Sequence, residues 1–197
     1  MTVGLRSIRV EAASGAAAGV LVAGGMRVPC ALGRAGITQD KREGDGATPA
    51  GTHGLVGVLY RPDRLRRPVT RLPVAPIRRD DGWCDDPADR RYNRPVRLPY
   101  AASHERLWRD DHLYDVLVIL NYNLARPVRG RGSAIFLHLT APGLAPTAGC
   151  VAVGVEAIRR LLAFANDLTL LHIEGNALNA DDFSVVAATR HSSPAKR

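Results

Sequence analysis

The sequence predicts a mostly β, β-rich α+β domain: a small mixed sheet or sandwich with one helix and a loop-rich insertion. Three observations carry that expectation. Short apolar segments of strand length, several alternating with period two, recur before residue 61 and again after residue 114. The stretch between them is rich in proline and arginine and has little periodicity. One helical pattern stands out, with Val155, Ile158, Leu161 and Leu162 at helical spacing after Cys150.

In chain order, Leu5–Ala12 alternates like a half-buried strand, and 20–23 and 26–32 flank Gly24-Gly25, a two-residue hairpin signal. Residues 41–51 are dense in turn formers, and an apolar strand follows at 55–60. Residues 61–112 read as an insertion or cap over a compact core, and long irregular segments of this kind are often functional. Within it a strand leads toward Trp83, and a short helix is expected near 103–108 with Ser103 as its cap. The core resumes with the apolar run 115–121 and a strand over 133–139. There Ala134, Phe136 and His138 share one face, and Ile135, Leu137 and Leu139 the other. A final strand is expected at 168–173. One catalytic-sized domain over 1–190 and a polar, flexible tail at 191–197 complete the organisation.

At 197 residues the chain can bury a core without staples, and with 46% hydrophobic but only 5% aromatic residues its packing rests on Leu, Val and Ala. The net charge of +8 admits polyanions as partners: nucleic acid, anionic lipid or a carboxylate-rich wall polymer. The arginine-rich 61–109 region has few aromatics for stacking and no recognised motif, so no nucleic-acid partner is expected. No apolar run approaches the roughly 20 residues of a membrane helix, so no span is expected. Residues 12–23 follow Arg6 and Arg9 in the manner of a leader, but Glu11 and the glycines favour a hairpin. The three cysteines show no CxxC spacing, and the histidines show no ligand pattern; neither metal nor organic cofactor is expected. Cys30 and Cys84 are either free or paired in an oxidising compartment.

The segment Ile135–Ala152 carries the chemistry. A His ends a strand, and twelve residues later Cys150 follows Gly149 in a turn before a helix. A loop that short can bring imidazole and thiol together, so that His138 abstracts the thiol proton or holds the thiolate as an ion pair. Gly149 permits an unusual backbone angle, which lets turn amides, including that of Cys150, face a developing oxyanion. A lone cysteine is more often a small buried hydrophobe and a lone strand histidine more often structural; their joint order in one segment favours catalysis.

This segment resembles the YkuD-type L,D-transpeptidase domain, whose signature places a His before a Ser/Thr-His-Gly-Cys box. His138, Thr147, Gly149 and Cys150 match it, and Lys41…Glu43-Gly-Asp-Gly…Thr48-Pro49…Gly51 resembles the family's Gly/Pro-rich hairpin element. Ala148 and Ala152 depart from the pattern, standing where His and Arg or Asn are usual. The chain is most similar to a short, cap-bearing proteobacterial branch, through Gly82–Pro87, Tyr92–Arg94, Asn121–Asn123 and Gly130–Ser133. The resemblance implies peptidoglycan stem peptides as substrates and a Cys150 thioester formed after the third stem residue. It implies a 3-3 or 1-3 cross-link involving meso-diaminopimelate, or hydrolysis if water is the acceptor. It further implies carbapenem-type β-lactams as covalent inhibitors, and the periplasm or cell envelope as the working location.

Other candidates are weighed individually. Arg129 and Arg131, before the His strand, either clamp substrate carboxylates or form a solvated loop. Tyr122 and Asn123 are candidate pocket residues, with a turn as the alternative for Asn123. Trp83 and Tyr92 either line a substrate groove or pack the cap onto the core. His138 needs an orienting partner on its second nitrogen, with Thr140 and Thr147 as candidates.

Overall fold

The computed structural model describes residues 4–175 apart from Ser14. The prediction of a β-rich fold with a mixed sheet holds. A nine-stranded sheet runs through β1 (Ser7–Ala12), β2 (Ala18–Ala23), β3 (Met26–Ala31), β6 (Gly51–Tyr60), β7 (Val74–Pro76), β11 (Val116–Leu120), β12 (Phe136–Leu139), β13 (Val151–Val153) and β14 (Leu170–Gly175). Their spatial order is β11-β12-β13-β3-β2-β1-β14-β6-β7, and β6 also pairs with β11. That last pairing turns the sheet into a ring, with β7 attached to the outside edge of β6.

The Gly24-Gly25 turn joins β2 and β3 in register, Ala23 opposite Met26. Two residues at positive φ (50° and 77°) are what such a turn demands, and only glycine supplies both without strain. The short strands β4 (Ile37–Thr38) and β5 (Thr48–Pro49) pair in parallel and bring the 41–51 turn region beside β13.

Period-two patterning then builds two cores from one strand pair. Ile135 and Leu137, with Val116, Val118 and Leu120, face a main core of aliphatic side chains. Leu117, Ala134 and Phe136 face outward into a second core. The helix α1 (Val155–Phe164) packs Ala157, Ile158, Leu161 and Leu162 into the main core. Val155, on the expected apolar stripe, is instead 39% exposed, because it occupies the first helical position, beyond the packed face.

The second core exists because the insertion covers it. The cap contains a three-stranded sheet of β8 (Asp81–Cys84), β9 (Arg94–Arg97) and β10 (His104–Arg106), in order β10-β8-β9. Trp83 and Tyr114 meet Phe136 edge-on at 5.2 and 5.9 Å, and Phe136 is wholly buried between them. The expected helix at 103–108 is therefore a strand. His104, Glu105 and Arg106 pair with Cys84, Trp83 and Gly82, and alternation sends Leu107 into the second core. Six residues make fewer than two helical turns, whereas a ready strand edge satisfies their backbone groups at once.

Polar contacts fasten the cap. The buried Asn93 accepts the Trp83 indole N–H at 2.9 Å and the Ala134 N–H at 3.1 Å, and donates to the carbonyls of Tyr122 and Asn123. Arg64 and Arg61 both donate to the Arg109 carbonyl, and Arg64 also reaches Asp115 at 2.8 Å. Arg94 donates to the carbonyls of Leu124 and Ala125. Arg61 lies 3.7 Å over the Trp108 ring. Several arginines of the basic insertion are thus structural pins.

All three cysteines are free. Cys30 is packed in the main core and Cys84 in the cap strand β8. Among the described residues no helix is long and apolar enough to cross a membrane. The expected tail at 191–197 lies outside the described residues.

Candidate active site

Cys150 directly precedes β13, which runs parallel to β12 with Leu137 opposite Val151 and His138 opposite Ala152. Extending that register sets Cys150 level with Phe136, on the same face as His138 and two residues short of it. Both side chains are buried and line one cavity of about 460 Å³ between the ring and the cap. Gly149 and Thr147 line it too.

The backbone just before β12 wraps around the thiol. Ala134 is held at φ 52°, an uncommon conformation for a residue with a Cβ. The Cys150 thiol donates to the Ala134 carbonyl at 3.2 Å, and its sulfur accepts the Phe136 N–H at 3.4 Å. In this resting arrangement the thiol bonds the backbone and not the imidazole. Burial pushes the thiol pKa up to about 12, and the Glu105 charge adds to the rise; the Phe136 N–H, Lys41 and Arg109 act in the opposite direction.

His138 is equally removed from water, and burial brings its pKa down to about 4 against the opposing pull of the Leu139 carbonyl. Its Nδ1 lies 2.8 Å from that carbonyl oxygen. A carbonyl only accepts, so Nδ1 carries the proton and Nε2 keeps its lone pair. Burial thus favours a neutral thiol and a neutral imidazole, an arrangement compatible with general-base activation. The orienting partner is this backbone carbonyl rather than Thr140 or Thr147, whose hydroxyls donate to Ala141 O and Cys150 O. Edge-on contact with Tyr114 at 5.1 Å fixes the ring further.

The turn that presents Cys150 is tied at several points. Two hydroxyls, Thr147 at 2.8 Å and Thr48 at 3.2 Å, grip the Cys150 carbonyl, and Thr147 also accepts the Gly149 N–H. Gly149 has φ 142°, and a Cβ there would lie 2.8 Å from the Ala47 carbonyl oxygen. The same Cβ would be 3.6 Å from Lys41 Nζ. Lys41 is therefore a buried ammonium beside the turn, bonded to Asp45 and the Arg42 carbonyl.

Of the ten predicted site residues, Cys150, His138, Gly149 and Thr147 gather at the cavity, and the other six are absent from its lining. Arg131 pairs with Asp40 at the surface, and Arg129 is exposed. Tyr122 donates its hydroxyl to the Arg131 carbonyl at 2.6 Å. Asn123 closes its own loop, donating to Val128 O and Gly132 O. Trp83 is buried on Phe136, and Tyr92 is buried with its hydroxyl donated to Glu43. The cavity's charged groups are instead Arg34, Lys41, Glu43, Asp85, Glu105 and Arg109. Two of them, Lys41 and Glu43, lie in the Gly/Pro-rich element that the sequence singled out, and Asp85 lies in the Gly82–Pro87 segment; Glu105 and Arg109 carried no such signal. Ala152, where the family usually has Arg or Asn, faces His138 across the ladder as a buried methyl.

The fold and cavity define a β-rich domain with a cysteine–histidine pair at the junction of a closed sheet and a cap. Residues 17–173 match the family model of the YkuD L,D-transpeptidase catalytic domain, and the chain belongs to that family. No curated protein matches the chain.

Proposed function

We propose that this protein is a peptidoglycan L,D-transpeptidase working through a Cys150 thioester. The observation that carries the reading is the neutral His138, its tautomer fixed by the Leu139 carbonyl, sharing one cavity with the Cys150 thiol. Swinging the thiol from the Ala134 carbonyl to Nε2 lets His138 take its proton as sulfur attacks the amide after the third stem residue. Nε2 then returns that proton to the departing D-amino acid, and a thioester remains on Cys150. An acceptor amine attacks the thioester, loses its proton to Nε2, and the thiolate leaves and is reprotonated. The Cys150 amide and the Lys41 ammonium beside Gly149 supply positive field for the oxyanion in both steps.

The acceptor decides the product. A second diaminopimelate gives a 3-3 link, the amine of the first stem residue a 1-3 link, and water a shortened stem. Transfer is the reading we adopt, in the periplasm or cell envelope where the substrate lies. Carbapenem-type β-lactams, which the family binds, are expected to acylate Cys150. Muropeptide mass spectrometry after incubation with diaminopimelate-type peptidoglycan, beside Cys150→Ala, tests this. New dimers that vanish in the variant support transfer, and fragmentation assigns the link. Shortened stems alone would make it a hydrolase. Unchanged muropeptides would overturn the reading, and salt-dependent polyanion retention that survives Cys150→Ala would then favour a binding module.

A further inference from the structure

The cavity around Cys150 carries both signs of charge, and its cap wall has a carboxylate pair with one buried, unanswered oxygen, Asp85 Oδ1. Asp85 directly follows β8, and Glu105 lies in the middle of β10, the two strands being paired with His104 opposite Cys84. The Asp85 N–H donates to Ser103 O at 3.2 Å, which makes the two carboxylates neighbours. Burial holds the Glu105 carboxyl above its usual range, and the Asp85 charge adds to the rise.

The protein does not satisfy this pair. Glu105 Oε1 accepts the Tyr114 hydroxyl at 2.5 Å and lies 3.7 Å from Arg109, while Oε2 has no hydrogen-bond donor among the described residues. Asp85 Oδ1 is buried without a hydrogen-bond partner. Buried acceptors are nearly always answered in native structures, so an orphan at the wall of a reaction cavity marks a place for a donor from outside. Two carboxylates call for a donor that is also a cation. Arg109 fills that role only in part: its Nη1 forms an ion pair with Glu105 at 3.7 Å, beyond hydrogen-bond length, and its Nε and Nη2 are committed to Asp111. Its guanidinium nevertheless stands beside Glu105, which places a cation next to the anionic pair.

We propose that Asp85 and Glu105 form a subsite for a primary ammonium group on the donor stem peptide, the amine at the far end of the third-position diamino acid. The proposal rests on the transpeptidase reading above and adds to it the wall that selects the donor. An ammonium offers three N–H groups to the unanswered oxygens, and the carboxylate on the same carbon meets Arg109. Asp85 and Glu105 line the same cavity as Cys150 and His138, which puts the subsite in the chamber where the carbonyl is attacked.

The test measures thioester formation on Cys150 by intact-protein mass spectrometry with two disaccharide-tetrapeptides, one native and one acetylated at that amine. Wild type is expected to acylate about 10- to 100-fold faster with the native probe, a difference expressed mainly in KM. Asp85→Asn and Glu105→Gln should lose a similar factor on the native probe and no longer distinguish the two. Their circular dichroism and urea midpoints should match wild type, and Cys150 should remain open to alkylation by iodoacetamide, which separates loss of recognition from loss of fold. Equal rates for both probes in wild type, or discrimination that survives both substitutions, would overturn the subsite and leave the transpeptidase reading standing. No thioester from either probe, with the thiol still alkylated, would instead sink that reading and the subsite with it.

Discussion

The ring and the cap are held together by different physics. The ring closes over a continuous aliphatic core in which Ile8, Val10, Leu21, Leu137, Ile158 and Leu171 are almost wholly buried. The cap has few such residues, and side-chain bonds to backbone carbonyls from Asn93, Arg61, Arg64 and Arg94 take their place. Burial of apolar area is non-directional and tolerant, whereas a polar pin works at one geometry. Cys150 and His138 ride on the ring; Asp85, Glu105 and Arg109, on the cavity wall, belong to the cap.

The largest expected effect tests which side carries the chemistry. Cys150→Ala should lower turnover by about 10⁴-fold or more, while its urea midpoint stays close to wild type. Cys84→Ala in the cap and Cys30→Ala in the ring should leave the acylation chemistry intact. Comparable loss in either, with circular dichroism unchanged, would contradict the assignment.

Next come substitutions that break each region by its own means. Leu137→Ala should cost about 2–5 kcal/mol in urea unfolding, because a wholly enclosed site cannot collapse around the lost volume. Asn93→Ala removes four hydrogen bonds and a residue held at φ 55°. It should cost about 2–3 kcal/mol, and its activity should fall further than Leu137→Ala at matched stability. The cause is that Asn93 holds the N–H of Ala134, the residue whose carbonyl receives the Cys150 thiol. Equal activity per folded molecule in the two variants would erase the distinction between the regions.

A pH effect of about 3 kcal/mol belongs to His138. Its folded pKa, about 4, lies below its ordinary 6.5, so between those values the unfolded chain binds the proton and the native protein does not. Stability is fully present above 6.5 and is lost as pH falls toward 4. Urea unfolding of wild type and His138→Phe across that window measures the difference, and parallel slopes would refute it. The acylation rate should likewise rise through about pH 4 and stay level through neutrality. Smallest is Arg131→Ala, where an exposed ion pair with Asp40 is removed; no measurable shift in the urea midpoint is expected.

The same contrast explains what the sequence disclosed. Alternation in residues 134–139 assigned both faces of β12, because a side chain's face follows directly from period two. Cys150, His138, Gly149 and Thr147 were legible because one short loop joins them. Glu105 and Arg109 were not, and Asp85 stood out only as part of Gly82–Pro87 without a role: all three reach the cavity only after β8 and β10 pair, and their sequence surroundings look like turns and solvated charge. The helix expected at 103–108 failed for the same reason, since its alternative was a strand edge twenty residues away. Arg129 and Arg131 were candidates by proximity to the His strand, yet the loop they occupy turns outward, with Arg131 tied to Asp40.

The ring has a further consequence for persistence in time. β12 and β13 each have a neighbour on both sides, and the β6–β11 pairing leaves their sheet no free end there from which to fray. Amides of Phe136–Leu139 and Val151–Val153 should therefore exchange with deuterium only when the whole ring opens, whereas those of β8–β10 can exchange through local release of the cap. A domain arranged this way can loosen its cap while the spacing between the Cys150 sulfur and the His138 imidazole survives as long as the fold itself.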